Sequence, residues 1–104
     1  MQSILVDNKK KIHDLCDRYK VEKLYAFGSV TRDDFNLESS DIDFLVIFKT
    51  EGLLNYADYF FGLQHSLQDL LKRPVELVVE SAITNPYFKE RVDQNKILIY
   101  GSII

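Results

Sequence analysis

Residues 41–48, DIDFLVIF, form an apolar run that opens with two aspartates. Every residue of this run except Asp41 and Asp43 is apolar, and most of these are aromatic or β-branched. The pattern is typical of a central strand that is covered on both faces. It favours a sheet with helices packed against it, and it leaves the two acidic residues at the mouth of the strand to be explained.

The periodicity of the remaining sequence divides it into a short series of elements. Apolar residues at helical spacing predict one helix over about residues 5–20 and a second over about 53–71, while Asn85 and Pro86 mark the start of a third. Further strands are predicted at 23–27 and 75–79, and residues 96–100 form either a last short strand or an apolar tail. This order predicts an α+β fold, a small mixed sheet with helices packed against it.

Length, charge and cysteine content exclude several classes of protein. The 104 residues suffice for one core, and a net charge of −3 lacks the basic surplus of proteins that bind free nucleic acid. An acidic chain can still bind polyphosphate where metal ions bring positive charge. Cys16 is the only cysteine, which excludes an internal disulfide and a cysteine-based zinc site. We expect one domain over residues 1–104, in the cytoplasm, with no signal peptide and no membrane-spanning segment.

Asp41 and Asp43 can form a metal site together with Glu76. Residues i and i+2 of a strand point to the same face, so the two aspartates lie about 7 Å apart along the backbone. Neighbouring carboxylates repel each other unless a divalent cation binds them, and ligation by oxygen alone selects Mg²⁺ or Mn²⁺ over zinc. If the strand at 75–79 pairs beside residues 41–48, Glu76 completes a cluster of three carboxylates.

These features also have ordinary explanations. An isolated Asp-x-Asp is more often the solvated start of a strand, and Glu76 alone is more often a charge on an edge strand. The turn at Gly28 and Ser29 favours the functional interpretation. Glycine lets the backbone approach a ligand, and a helix start after it would direct N–H groups and the Ser29 hydroxyl at phosphate.

The stretch FGSVTRDDFNLESSDIDFLVIF, residues 27–48, resembles the nucleotidyltransferase signature of the DNA polymerase β superfamily. A Gly-Ser pair, a spacer, Asp-x-Asp in an apolar strand and a later acidic residue follow one another as in that signature. The resemblance extends over most of the chain to the minimal nucleotidyltransferases, or MNT proteins, which are often encoded beside a HEPN-domain toxin. It implies the fold of that superfamily.

The resemblance also implies roles for individual residues. Gly28 and Ser29 become the triphosphate-binding turn. Asp41 and Asp43 become ligands of two Mg²⁺ ions, and Glu76 becomes the third carboxylate, which also helps to deprotonate the attacking hydroxyl.

The spacer between the turn and the aspartates carries two more implied contacts and one departure. Arg32 matches an arginine that can contact phosphate, although a solvated loop charge explains it equally well, and Ser40 can orient one carboxylate. Asp33 and Asp34 follow Arg32 where many members have glycine, and Glu76 stands where many have aspartate. Whether the site is active is therefore left open.

For the whole protein, the resemblance implies Mg²⁺-dependent transfer of AMP from ATP to a hydroxyl, such as that of a tyrosine, on a HEPN ribonuclease toxin. The chain would then be the antitoxin of that toxin. Two alternatives stay open: a binding module with a vestigial nucleotide site that neutralises its partner by contact alone, and a transferase that modifies a small molecule. We expect no direct binding of nucleic acid.

Several apolar residues of the second predicted helix lie off its main stripe, namely Leu54, Tyr59 and Phe61. They fit either a helix covered on two sides within the monomer or a patch that faces a toxin or a second copy of the chain. Cys16 is expected in the core, and His13 and His65 are expected to be partly exposed structural residues.

Overall fold

The computed structural model describes residues 3–28, 41–49 and 56–101, which form a four-stranded sheet and its helices. The helices are α1 (Ser3–Asp7), α2 (Lys9–Arg18), α3 (Tyr56–Leu71) and α4 (Pro86–Asn95), and a 3₁₀ helix spans Glu80–Ala82. The strands are β1 (Val21–Phe27), β2 (Ile42–Phe48), β3 (Val75–Val79) and β4 (Ile97–Tyr100). The α+β fold with a small mixed sheet is confirmed.

The sheet has the order β3-β2-β1-β4 and both kinds of pairing. β2 runs parallel to β3 and antiparallel to β1, and β1 runs antiparallel to β4. β2 therefore lies inside the sheet, as its apolar composition predicted. The segment at 96–100, which the sequence left as a strand or a tail, contributes the strand at one edge.

Two apolar clusters lie on opposite faces of the sheet, because alternate residues of each strand point to opposite sides. The larger cluster joins α1, α2 and α3 to β2 through residues such as Ile42, Phe44 and Val46. The smaller cluster joins α4 to the other face through Phe27, Leu45 and Val92. This arrangement explains why β2 is apolar at consecutive positions.

The first helical region is divided in two, where the sequence predicted one helix over about residues 5–20. The side-chain amide of Asn8 donates to the Ile4 carbonyl at 2.8 Å and thus binds a backbone group at the end of α1. Asparagine side chains compete in this way with the hydrogen bonds of a continuing helix. α2 then begins at Lys9.

Other predictions about single residues can be compared with the structure. Cys16 is fully buried, as expected, whereas His65 is exposed and His13 is half-buried, with Nε2 2.8 Å from the Ile99 carbonyl oxygen. Phe61 is 56% exposed, so the described part of the chain does not cover α3 on both sides. Leu54 lies outside the described residues. Over the described ranges, no helix has the length and apolar character needed to cross a membrane.

Candidate active site

Three side chains form a row across the sheet at the start of β2. Asp43 is paired with Phe27 of β1 on one side and with Glu76 of β3 on the other. Directly paired residues of neighbouring strands project to the same face. The pairing on which the assignment of Glu76 depended is therefore present, and it brings the carboxylates of Asp43 and Glu76 to one face, the face that carries α4.

The start of β3 is held in place by α3 and by β2. The backbone N–H of Val75 donates to Gln68 Oε1 at 3.2 Å, and the Val75 carbonyl accepts from Gln64 Nε2 at 3.0 Å. On the inner side, the N–H of Ile42 donates to the Pro74 carbonyl at 3.1 Å. β3 is an edge strand, so the two glutamines satisfy backbone groups that face away from the sheet. These bonds fix the residue that immediately precedes Glu76.

Gly28 follows β1 and lies against the Asp43 carboxylate. Its φ is +77°, a conformation that residues with a β-carbon rarely adopt. A β-carbon built there would collide with Asp43 Oδ2. Only glycine lets the backbone turn this close to Asp43, which forms an acidic row with Glu76. The close approach to a ligand that the sequence predicts at this position stays a prediction.

The remaining predicted ligands do not complete a metal cluster in the described part of the chain. Asp41 precedes β2 and is exposed, as is Glu76, while Asp43 is half-buried. Within residues 3–28, 41–49 and 56–101, no three His, Cys, Asp or Glu side chains are close enough together to hold a metal ion. The three-carboxylate site therefore stays a prediction. The donor chemistry does fit a hard cation, because Asp43 and Glu76 offer only carboxylate oxygens on a solvent-accessible face.

Three residues of the predicted nucleotide site lie outside the described residues. They are Ser29, Arg32 and Ser40, and their roles stay predictions, as do the effects of Asp33 and Asp34.

A pocket of about 210 Å³ lies beside Gly28, between the end of β1 and α4. Among the described residues, its lining is formed by Phe27, Gly28, Phe88, Arg91, Val92 and Asn95. The α4 residues of this lining were not predicted from the sequence to belong to the site. A signal was available, since residues 88, 91, 92 and 95 have the spacing of one helix face, and two of the four are polar.

Comparison with known families identifies what kind of domain carries this site. Residues 9–99 match the family described as "Nucleotidyltransferase domain". The chain belongs to this family. It is a nucleotidyltransferase, and the acidic row beside the glycine turn lies in the part of the chain that the family match covers.

Relatives and solved structures agree with this assignment. A protein of Methanocaldococcus jannaschii, named "Putative protein adenylyltransferase MJ0128", is 42% identical to this nucleotidyltransferase over 91 residues, or 86% of each chain. A solved minimal nucleotidyltransferase, itself named as putative, is 32% identical with a TM-score of 0.70, over 89% of this chain and 90% of that one. A chain in a crystal structure of a toxin–antitoxin with AMP-PNP is 25% identical in sequence to this one. The two superpose with a TM-score of 0.69, over 92% of this chain and 75% of that one.

Proposed function

We propose that this nucleotidyltransferase transfers AMP from ATP to a hydroxyl of a partner protein, with Mg²⁺, and thereby silences a HEPN ribonuclease toxin. The observation that carries the proposal is the pairing of Asp43 with Glu76 beside the turn at Gly28. The similarity to a protein named as an adenylyltransferase supports the donor and the class of acceptor. The similarity to a toxin–antitoxin with AMP-PNP supports a toxin as the partner.

The side chains of the row suit the chemistry of such a transfer. Asp41, Asp43 and Glu76 would hold Mg²⁺, which lowers the pKa of an attacking hydroxyl and stabilises the pyrophosphate leaving group. The acceptor oxygen forms a bond to the α-phosphorus as the bond to the β-phosphate oxygen breaks. An oxygen of the Glu76 carboxylate, which is exposed, accepts the hydroxyl proton. The glycine turn lets backbone N–H groups approach the phosphates.

Transfer of label from α-labelled ATP to the product of the adjacent gene tests the proposal. Wild-type protein with Mg²⁺ is expected to label the partner, and Asp43→Asn and Glu76→Gln are each expected to reduce the rate at least about 100-fold. Asp69→Asn, an equivalent change at an exposed position of α3, is the control and should leave the rate unchanged. Absence of labelling by the wild type, or full labelling by Asp43→Asn, would contradict the proposal.

A second candidate function is neutralisation of the partner by contact alone. One observation favours it: the apolar side chain of Phe61, on α3, is 56% exposed. An Asp43→Asn/Glu76→Gln double variant that protects cells from the toxin as well as the wild type does would favour contact. Loss of protection in that variant, with binding to the partner retained, would favour catalysis.

A further inference from the structure

α4 carries one basic side chain that differs from its neighbours in having no acidic partner in the described part of the chain. Lys89 contacts Asp93 at 2.9 Å, and Lys96, just after the helix, contacts Asp93 at 3.0 Å. Arg91 forms no ion pair with any described residue, although it lies on the same helix. Among the described residues, no carboxylate competes with a ligand for its guanidinium.

Arg91 lines two pockets on the face of the sheet that carries α4. It lines the pocket that includes Phe27 and Gly28, at the end of β1. It also lines a second pocket, of about 420 Å³, which includes Val78 of β3. Both pockets lie on the face to which Asp43 points, because Phe27 and Val78 belong to the smaller apolar cluster on that face.

The packing of α4 against the sheet fixes the backbone of Arg91, and this restricts where its side chain begins. The next residue, Val92, is buried against the sheet, and Phe88 packs edge-to-face on Phe27 with their ring centroids 6.1 Å apart. The side-chain amide of Asn95 donates a hydrogen bond to the Arg91 carbonyl oxygen at 2.8 Å. The helix therefore presents Arg91 to the pocket without needing to rearrange.

We propose that Arg91 binds a phosphate group of the nucleotide in the pocket beside Gly28, an inference that rests on the proposed function. A site built from carboxylates repels a polyphosphate, and a guanidinium that stays charged offers a planar fork of N–H donors to phosphate oxygens. At about 210 Å³ the pocket is smaller than the roughly 300–1,000 Å³ of sites that enclose a whole small molecule. It therefore accommodates one part of the nucleotide, and a cation beside a glycine turn suits the phosphates.

Binding measurements on two matched variants test this inference. Arg91→Gln removes the charge from the pocket, and Lys89→Gln removes the same charge from the same helix outside it. The affinities for ATP with Mg²⁺, for inorganic tripolyphosphate and for adenosine are measured by calorimetry. We expect Arg91→Gln to weaken the binding of ATP and tripolyphosphate about 10- to 100-fold, as for a hydrogen bond to a charged group. Lys89→Gln should change the affinities for ATP and tripolyphosphate less than about twofold, because Lys89 is paired with Asp93 and does not line the pocket.

Other outcomes overturn the inference in different ways. If Arg91→Gln binds ATP as tightly as the wild type while the wild type labels its partner, only the role of Arg91 is wrong. If Arg91→Gln weakens adenosine as strongly as ATP, the pocket holds the base and the phosphate assignment is wrong. If wild-type protein binds neither ATP nor tripolyphosphate, both the inference and the proposed function fail. Because Arg91 is exposed, we expect Arg91→Gln to fold like the wild type. Circular dichroism spectra of the two proteins check this.

Discussion

At Gly28, a single missing side chain determines both the backbone turn and the space left for the Asp43 carboxylate. Gly101 provides a matched comparison, since it also has a positive φ, of +115°, and a β-carbon there would approach the Glu22 carbonyl at 2.6 Å. Gly101 lies after β4, away from the acidic row. Both positions require glycine for the backbone conformation, but only Gly28 also leaves space for the Asp43 carboxylate. Comparing the two therefore separates an effect on folding from an effect on the site.

We predict that Gly28→Ala and Gly101→Ala each lower the free energy of unfolding by about 1–2 kcal/mol or more, because each forces a β-carbon into a left-handed conformation. Only Gly28→Ala should also abolish nucleotidyl transfer at temperatures where both variants are folded. Urea denaturation and the labelling assay measure the two effects. Equal residual activity in the two variants would mean that Gly28 serves the fold alone.

Cys16 gives the stability a dependence on alkaline pH. Burial, with a smaller contribution from the charge of Asp17, raises the pKa of its thiol from 9.0 to about 12. The unfolded chain releases this proton near the ordinary pKa, whereas the folded chain retains it. Stability from this group is therefore complete below pH 9 and declines as the pH rises toward 12.

We predict that the free energy of unfolding of the wild type falls relative to that of Cys16→Ala by up to about 1.4 kcal/mol per pH unit over this range. The variant is less stable at neutral pH, because it leaves a small cavity, but it lacks the ionisable thiol. Urea midpoints measured at a series of pH values give the difference. A constant difference from about pH 8 to about pH 11 would contradict the prediction.

At the scale of elements, the start of α4 connects helix stability to the pocket. The Asn85 side chain accepts hydrogen bonds from the N–H groups of Tyr87 at 2.9 Å and Phe88 at 3.2 Å. Pro86 occupies the first helical position, where its missing N–H costs nothing. The cap therefore fixes the backbone of Phe88. The same residue lines the pocket beside Gly28.

We predict that Asn85→Ala lowers the free energy of unfolding by about 1 kcal/mol, whereas Asn85→Asp, which keeps an acceptor at the cap, stays close to the wild type. Thermal melts followed by circular dichroism measure both. Hydrogen exchange at Tyr87 and Phe88 should become faster in Asn85→Ala only. Unchanged exchange in that variant would show that contacts with the sheet hold α4 without the cap.

Local sequence patterns predicted most helices and strands. They did not predict the break between α1 and α2 or the position of β4 in the sheet. The Asn85–Pro86 start and the doubly covered β2 were predictable because each depends on neighbouring residues. The break at Asn8 was not, since it depends on one side chain preferring the Ile4 carbonyl to solvent. The position of β4 beside β1 depends on pairing between distant segments, which periodicity does not report.

The candidate site divides along the same line. The residue types at Asp41, Asp43 and Glu76 were readable from the sequence, and the structure adds that Asp43 and Glu76 are direct neighbours. Arg91 was not predicted, because an arginine on an exposed helix face is common, and its helical spacing with Phe88 and Asn95 gains meaning only once α4 is packed against the sheet.

For the molecule as a whole, the sheet is shared by both apolar clusters, so we expect unfolding as one cooperative transition. A ligand that binds only the folded state then stabilises the entire described structure. We predict that ATP with Mg²⁺ at about 100 times its Kd stabilises the protein by about 2.7 kcal/mol and raises the Tm by several degrees. Differential scanning calorimetry measures the shift. Asp43→Asn should show a much smaller one, and an equal shift would place the nucleotide elsewhere.

The parallel pairing of Asp43 with Glu76 also determines when these two carboxylates come together during synthesis. Parallel neighbours cannot be joined by a tight turn, and here the connection between them includes α3. Closing a connection of this length costs loop entropy, and this cost slows the formation of such contacts. A chain emerging from the ribosome therefore has no acidic pair until β3 has been synthesised and docked. The pair of Asp43 and Glu76 can thus form before β4, the last strand of the sheet, has been synthesised.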